Sequence, residues 1–226
     1  ENPVPALGHQ RDFGLNGTYL VMRQLQQDLT AFADYLRGAS APLGLTPGEL
    51  AAKMMGRTYD GDVLVPGGAP WPVSLGNDFG FTGDRDGLGC PLGAHIRRGN
   101  PRDMLGKDAA DGWRIANRHR ILRRGRPYCH DGHAGLMFVA LNADPERQFE
   151  FIQQNWMNDD GFGELARERD PIIGRRDGQH DTFTVPACPA RRRVHGLDPF
   201  VTVKGGAYFF LPGRRGLADL LSEPWP

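Results

Sequence analysis

GLMFVALNADPERQFEFIQQNW, residues 135–156, is the stretch that decides the fold. GLMFVALNAD (135–144) reads as a buried strand, and PERQFEFIQQNW (145–156) as a helix with Phe149, Ile152 and Trp156 on one face. An earlier strand–helix pair precedes it. GTYLVMRQL (17–25) sets Tyr19, Val21 and Arg23 on one side of a strand and Leu20, Met22 and Gln24 on the other. QQDLTAFADYLRG (26–38) places Leu29, Phe32, Ala33 and Leu36 in one helical stripe, with Gly38 as its stop. TPGELAAKMMGRT (46–58) begins a further helix, with Thr46 as N-cap and Pro47 at the first helical position. Near the end, PFVTVKGGAYFFLPG (199–213) reads as a strand, a Gly-Gly break and a second strand, and GLADLLSEP (216–224) as a short closing helix. Residues 1–15 read as an extended lead, 59–94 as loop-rich and 157–196 as a long irregular loop. Strand–helix, strand–helix and then strand predicts a loop-rich α+β fold with a ferredoxin-like sheet, in one domain over 1–226.

The bulk composition narrows the partners. Lysine plus arginine and aspartate plus glutamate each total 27, so a general affinity for nucleic acid or an acidic membrane is not implied. Glycine (31) and proline (18) are abundant but show no period, which argues for turns and against a repeat architecture. No apolar run approaches the roughly 20 residues of a membrane span. No signal peptide is visible, and the chain opens at Glu1 rather than methionine, which leaves the compartment open. Cys90, Cys129 and Cys188 are too few for a disulfide scaffold, and no CxxC or CxxCH string occurs.

CPLGAHIRRGNPRD (90–103) places one histidine, His95, beside Arg97, Arg98 and Arg102. A metal ligand, an anion-binding loop and a solvated turn all fit such a segment. His95 has no local histidine, cysteine or aspartate at ligand spacing, and structural zinc needs three more ligands. Haem iron needs only one axial protein ligand, and its two propionates need cations such as Arg97, Arg98 or Arg102. On the residues alone the solvated turn is the commoner arrangement.

Further along, four strings occur in an order that carries a resemblance. CPLGAHIRRGNPRD, RHRILRRGRPY (118–128), GLMFVALNADPERQFEFIQQNW and PFVTVKGGAYFFLPG resemble the C-terminal half of the dye-decolourising (DyP-type) haem peroxidases. GTYLVMRQLQQD (17–28) resembles the segment that opens that half. The resemblance implies haem b as cofactor, with His95 as the proximal iron ligand and Ile96 and Arg98 beside it in the cofactor site. It implies Arg102, of the NPR motif, near a propionate and Arg123 on the distal side, where peroxide is handled. Leu136 and Phe138, two residues apart on one strand face, are expected against the distal haem plane. An acidic residue bonded to the proximal imidazole is also implied, and Asp198 is the expected match.

The resemblance implies an oxidoreductase that uses hydrogen peroxide to oxidise dyes or phenolic donors. A guanidinium such as that of Arg123 stabilises negative charge on the leaving oxygen. An anionic partner on His95 pushes electron density toward iron. Bulky apolar groups keep the distal face dry. The family's distal aspartate sits in a GxxDG motif of the N-terminal half. Gly83-Asp84-Arg85-Asp86-Gly87 matches that string but lies just before His95, and is read here as a chance match, with Asp86 as distal acid the lesser reading. The expectation is therefore a second polypeptide that carries the N-terminal half and the distal aspartate, in a heterodimer. The competing reading is a haem carrier or storage protein without efficient turnover.

Other residues take bland and sharp readings. His119 is a solvated or propionate-side histidine, or else a proton relay. His130 and His133 belong to a polar loop, or else to a metal site. Trp113, Tyr128 and Trp156 are packing residues, or else electron carriers. Cys129 is a free thiol or a disulfide partner of Cys188, and Arg191, Arg192 and Arg193 form an exposed loop.

Overall fold

The computed structural model describes residues 13–65 and 77–222. Most of the extended lead expected over residues 1–15 therefore lies outside the described residues. The chain runs β1 (Thr18–Gln27), α1 (Leu29–Ser40), α2 (Pro47–Met55), α3 (His95–Gly99), α4 (Ala109–His119), β2 (Leu122–His130) and β3 (His133–Asn142). Two π-helical segments, Glu146–Glu150 and Ile152–Met157, follow. Then come β4 (Phe183–Val185), β5 (Arg192–Val194), β6 (Val201–Leu211) and α5 (Arg214–Ser222).

The main sheet has the order β2-β3-β1-β6 with every neighbouring pair antiparallel. First and last strands lie side by side, and β3 separates β1 from β2. That is the ferredoxin-like arrangement expected from the sequence. The hairpin between β2 and β3 closes on Asp131 and Gly132 with φ of 49° and 75°, the left-handed pair that a two-residue turn requires.

Register fixes two unlike sheet faces. Val21 pairs with Ala140 and Tyr208, and Arg23 pairs with Phe138 and Gly206, so these side chains and Leu136 share one face. The π-helical run covers part of it: the Phe149 ring lies 5.8 Å from Phe138 and 6.4 Å from Tyr208, and the Arg23 guanidinium sits 4.6 Å over it. Leu20, Met22, Val139 and Phe209 occupy the other face. Among the described residues no buried core cluster includes them, and Phe209 is 42 % exposed.

Among the described residues, three clusters form the core. The largest joins α1 and α2 to the β4–β5 hairpin through Leu36, Leu50, Met54, Phe183, Val185, Val194, Leu197 and Phe200. Its centre is fully buried, so Phe183→Ala removes a ring and leaves a cavity. The expected cost is about 3–5 kcal/mol, read as a lower midpoint in urea unfolding with little change of slope. A cost below about 1 kcal/mol would show that this cluster repacks freely.

Local chemistry explains where the sequence reading held and where it slipped. Thr46 and Glu49 form a reciprocal capping box at α2, and Gly56, at φ 88°, ends that helix. Helix α1 runs past Gly38 to Ser40, because its continuation through the Ala41–Leu43 turn supplies the stop at Gly44. The Gly-Gly break is absent. β6 is one strand with a bulge at Lys204, where Gln24 pairs with Gly205 and Leu25 with Val203. The segment before β2, to which no element is assigned from the sequence, contains α4, capped by Asp108. Its signal is weakened by Gly112, which packs so closely on Asp103 and Leu105 main-chain atoms that a Cβ would overlap them. The irregular loop expected over 157–196 carries the two short strands β4 and β5. In the 145–156 helix, Phe149 packs on the sheet while Ile152 and Trp156 enter a separate cluster with Met157 and Phe162.

Candidate functional site

His95 opens α3, a helix of only five residues whose two arginines anchor it to opposite neighbours. Arg97 donates to the main-chain oxygens of Cys90 (2.7 Å) and Asp84 (2.9 Å), and its guanidinium lies 4.6 Å over Phe81. Arg98 donates to the oxygens of Trp156 (2.7 Å), Asp159 (2.9 Å) and Glu168 (2.6 Å). Both side chains are completely buried. The expectation of Arg98 as a cofactor contact is thus corrected: the side chain is fully buried, and its two terminal nitrogens donate to carbonyls that hold α3 in place. Ile96 packs against the end of α2, where a Cβ on Gly56 would overlap its side chain.

His95 Nδ1 lies 2.9 Å from Asp170 Oδ2, while the other carboxylate oxygen accepts from the amides of Ile172 (2.9 Å) and Ile173 (2.8 Å). The Asp170 side chain is 0 % exposed and that of His95 is 23 % exposed. Burial alone would raise the Asp170 pKa. The His95 contact and the two amides outweigh burial and hold the carboxyl below its ordinary range. An ionised Asp170 makes Nδ1 the donor and leaves the Nε2 lone pair for a ligand. No hydrogen bond engages Nε2 among the described residues.

Asp170 therefore replaces Asp198 as the acidic partner of the imidazole. Asp198 is exposed, in the connection between β5 and β6. The missed signal was Asp170-Pro171-Ile172-Ile173: an aspartate before proline favours a turn in which its carboxylate caps the next free amides.

Arg102 adopts a left-handed φ of 55°, and its guanidinium lies 3.7 Å over the Phe79 ring and 5.8 Å from Trp113. Nη1 donates to the oxygens of Asn77 (2.9 Å) and Phe79 (3.0 Å). Arg57, which the sequence reading passed over, lies 5.4 Å over the same ring. Burial lowers the pKa of both, and like charge adds to it: Arg120 and Arg57 act on Arg102, and Arg123 acts on Arg57. Two guanidiniums over one ring, with further arginine charge acting on each, suit a carboxylate or phosphate. Arg123 stands on β2 opposite Ala140, which puts it on the same sheet face as Leu136 and Phe138.

Other expectations resolve into structural roles. Asp84, not Asp86, organises the Gly83–Gly87 string: its carboxylate accepts from the amides of Gly89 and Cys90, while Asp86 is exposed. His119 stacks on Phe151 at 3.8 Å and shares a hydrogen bond with the Arg147 oxygen, tying α4 to the π-helical run. His130 and His133 face each other at the tip of the β2–β3 hairpin, and no group of three metal-capable side chains occurs among the described residues. Cys129 and Cys188 are exposed and unbonded to each other, the free-thiol alternative of the two readings. Arg192 caps the Pro42 and Leu43 oxygens rather than hanging free. Trp156 is core, and the Tyr128 hydroxyl reaches the Leu25 oxygen.

With this geometry in place, comparison with known proteins is informative. The family profile described as "Dyp-type peroxidase, C-terminal" matches residues 88–174. The multifunctional dye peroxidase DyP2 of Amycolatopsis sp. is 34 % identical over 230 residues, covering 90 % of this chain and 49 % of that protein. Peroxidase 2 of Mycetinis scorodonius is 33 % identical, covering 92 % and 47 %. Among solved structures, the Anabaena sp. DyP-type peroxidase superposes with a TM-score of 0.79 at 29 % identity, over 90 % of this chain and 46 % of that one. The chain thus spans about half the length of the relatives it matches.

Proposed function

The chain belongs to the dye-decolourising peroxidase family, carrying its C-terminal part, and from that premise we propose that it forms the haem-binding part of an enzyme that reduces hydrogen peroxide and oxidises aromatic donors. The observation that carries this reading is the His95–Asp170 pair, which leaves Nε2 without a hydrogen-bond partner among the described residues. The donor set suits haem rather than a bare metal ion. His95 would supply the one protein ligand that haem iron needs, Arg102 with its neighbours would offer cations to the propionates, and no group of three metal-capable side chains occurs among the described residues. Ile96, next to His95, is proposed as a cofactor contact on the same side.

Bound haem supplies the redox-active iron at which peroxide is reduced. Everything else falls to the chain. Asp170 fixes the imidazole tautomer and rotation and makes Nε2 a stronger donor. Arg123 offers a fixed positive charge where the leaving oxygen becomes negative. Leu136 and Phe138, on the same face, exclude water from that side. The acid–base carboxylate of the distal side is assigned to the part of the family's fold that this chain does not span, on a continuous chain or a second polypeptide. The uncovered sheet face carrying Leu20, Met22, Val139 and Phe209 gives that part an apolar surface to pack on.

Native mass spectrometry of the protein purified from its source without denaturant tests the reading. The expected mass includes one protoporphyrin per copy of this sequence, together with additional polypeptide. Absence of tetrapyrrole would overturn the haem site. Efficient peroxide turnover by the 226-residue chain alone would overturn the assignment of the distal acid.

A further inference from the structure

Around the main chain of Asp170 the protein carries charged side chains that the proposed mechanism leaves unused. Arg176 Nη2 donates to the Asp170 main-chain oxygen at 2.7 Å, and Nη1 reaches the His180 oxygen at 3.3 Å. Its Nε is buried without a partner among the described residues. On another side, Arg98 grips the Glu168 oxygen, two residues before Asp170. The segment that carries Arg176 is itself pinned. His180 sits between Asp177 (2.7 Å) and Asp160 (3.0 Å), and Arg169 pairs with Asp177 at 2.9 Å. Burial lowers the proton affinity of both Arg98 and Arg176, and Asp170 is the strongest single charge opposing that loss in each case. Tyr35 and Asp181 also face Arg176.

We propose that Arg176 is a positioning residue for the proximal pair, holding Asp170 against His95 and moderating the negative charge that the imidazole receives. The inference rests on the haem reading above and deepens it. A carboxylate on Nδ1 makes the imidazole more electron-rich and favours the oxidised metal. A half-buried cation bonded to the main-chain oxygen of the same residue opposes the effect, the more so where water screens it poorly. In Arg176→Gln a donor to the Asp170 main-chain oxygen remains, so the carboxylate keeps His95 and the two isoleucine amides and what is lost on that side is the opposing charge.

The test compares wild type, Arg176→Gln and Arg176→Lys as the haem-loaded native assembly. Glutamine keeps a donor without the charge, and lysine keeps the charge without the planar fork. Spectroelectrochemistry reads the midpoint potential, and resonance Raman reads the iron–histidine stretch of the reduced form. The expected result for Arg176→Gln is about a tenfold fall in the reduced-to-oxidised ratio at fixed poise, equal to about 59 mV for one electron. The stretch moves to higher frequency, and Arg176→Lys restores both. An unmoved or more positive potential in Arg176→Gln overturns the inference, even where thermal stability falls, since stability alone reports a scaffold. Wild type lacking histidine-ligated haem overturns the functional reading and this inference together. Bound haem with an unmoved potential overturns this inference alone.

Discussion

His95→Ala is expected to lose stoichiometric haem, with an affinity loss of at least about 100-fold in an absorbance titration. Removing a group that supports a metal ligand through a hydrogen bond already costs roughly 10- to 100-fold, and here the ligand itself goes. The substitution also takes from Asp170 the contact that most offsets its burial. Two amides still hold one oxygen, but Oδ2 loses its 2.9 Å partner inside a fully buried site. Breaking such a buried pair costs roughly 3–5 kcal/mol, so the variant is also expected to melt earlier. Added imidazole separates ligand loss from misfolding, because it can fill the space left by the side chain and return an axial nitrogen. Recovery of the wild-type absorbance with imidazole supports the axial role. A wild-type haem spectrum in His95→Ala without imidazole would remove His95 from the site.

How much of this was legible in the sequence differs between the sheet and the site. Alternation over 17–25 and the apolar run over 135–144 gave both central strands, because a sheet with one covered face writes its period into the chain. The Thr46–Glu49 box gave α2 for an equally local reason. The errors fall where long-range contacts decide. Asp198 and Asp170 look alike as letters in glycine- and proline-rich stretches, and only tertiary packing brings Asp170, 75 positions away, to His95. Arg98 has the composition of a surface cation, yet three carbonyls from the 156–168 segment enclose it. Arg57 carried no signal at all, since its neighbours Phe79 and Arg123 come from distant parts of the chain. Motif order pointed to His95, but the chain's own spacing did not supply its partner.

Arg123→Leu is expected to leave haem binding nearly intact while slowing the bimolecular reaction with hydrogen peroxide by about 100-fold or more. One positioned donor to a developing oxyanion is worth roughly 10²–10³ in rate, because its charge is fixed before the bond breaks. The location of Arg123 supports this division between binding and rate. It stands on β2 opposite Ala140, on the face shared with Leu136 and Phe138, whereas the proximal pair belongs to α3 and the Asp170 turn. Arg57 complicates the simple version, since the Arg123 charge adds to the burial that disfavours the charge on Arg57. Removing Arg123 relieves that repulsion, so Arg57 holds its proton more firmly but remains bonded to the Gly61 oxygen and Asn77. A cation in that position restores only part of the loss. Arg123→Lys is accordingly expected to fall between wild type and Arg123→Leu, since charge survives but the forked donor geometry does not. Stopped-flow absorbance against peroxide concentration reads the second-order constant directly. A constant for Arg123→Leu within twofold of wild type, with haem still bound, would take Arg123 out of the reaction and leave its charge to the propionates alone.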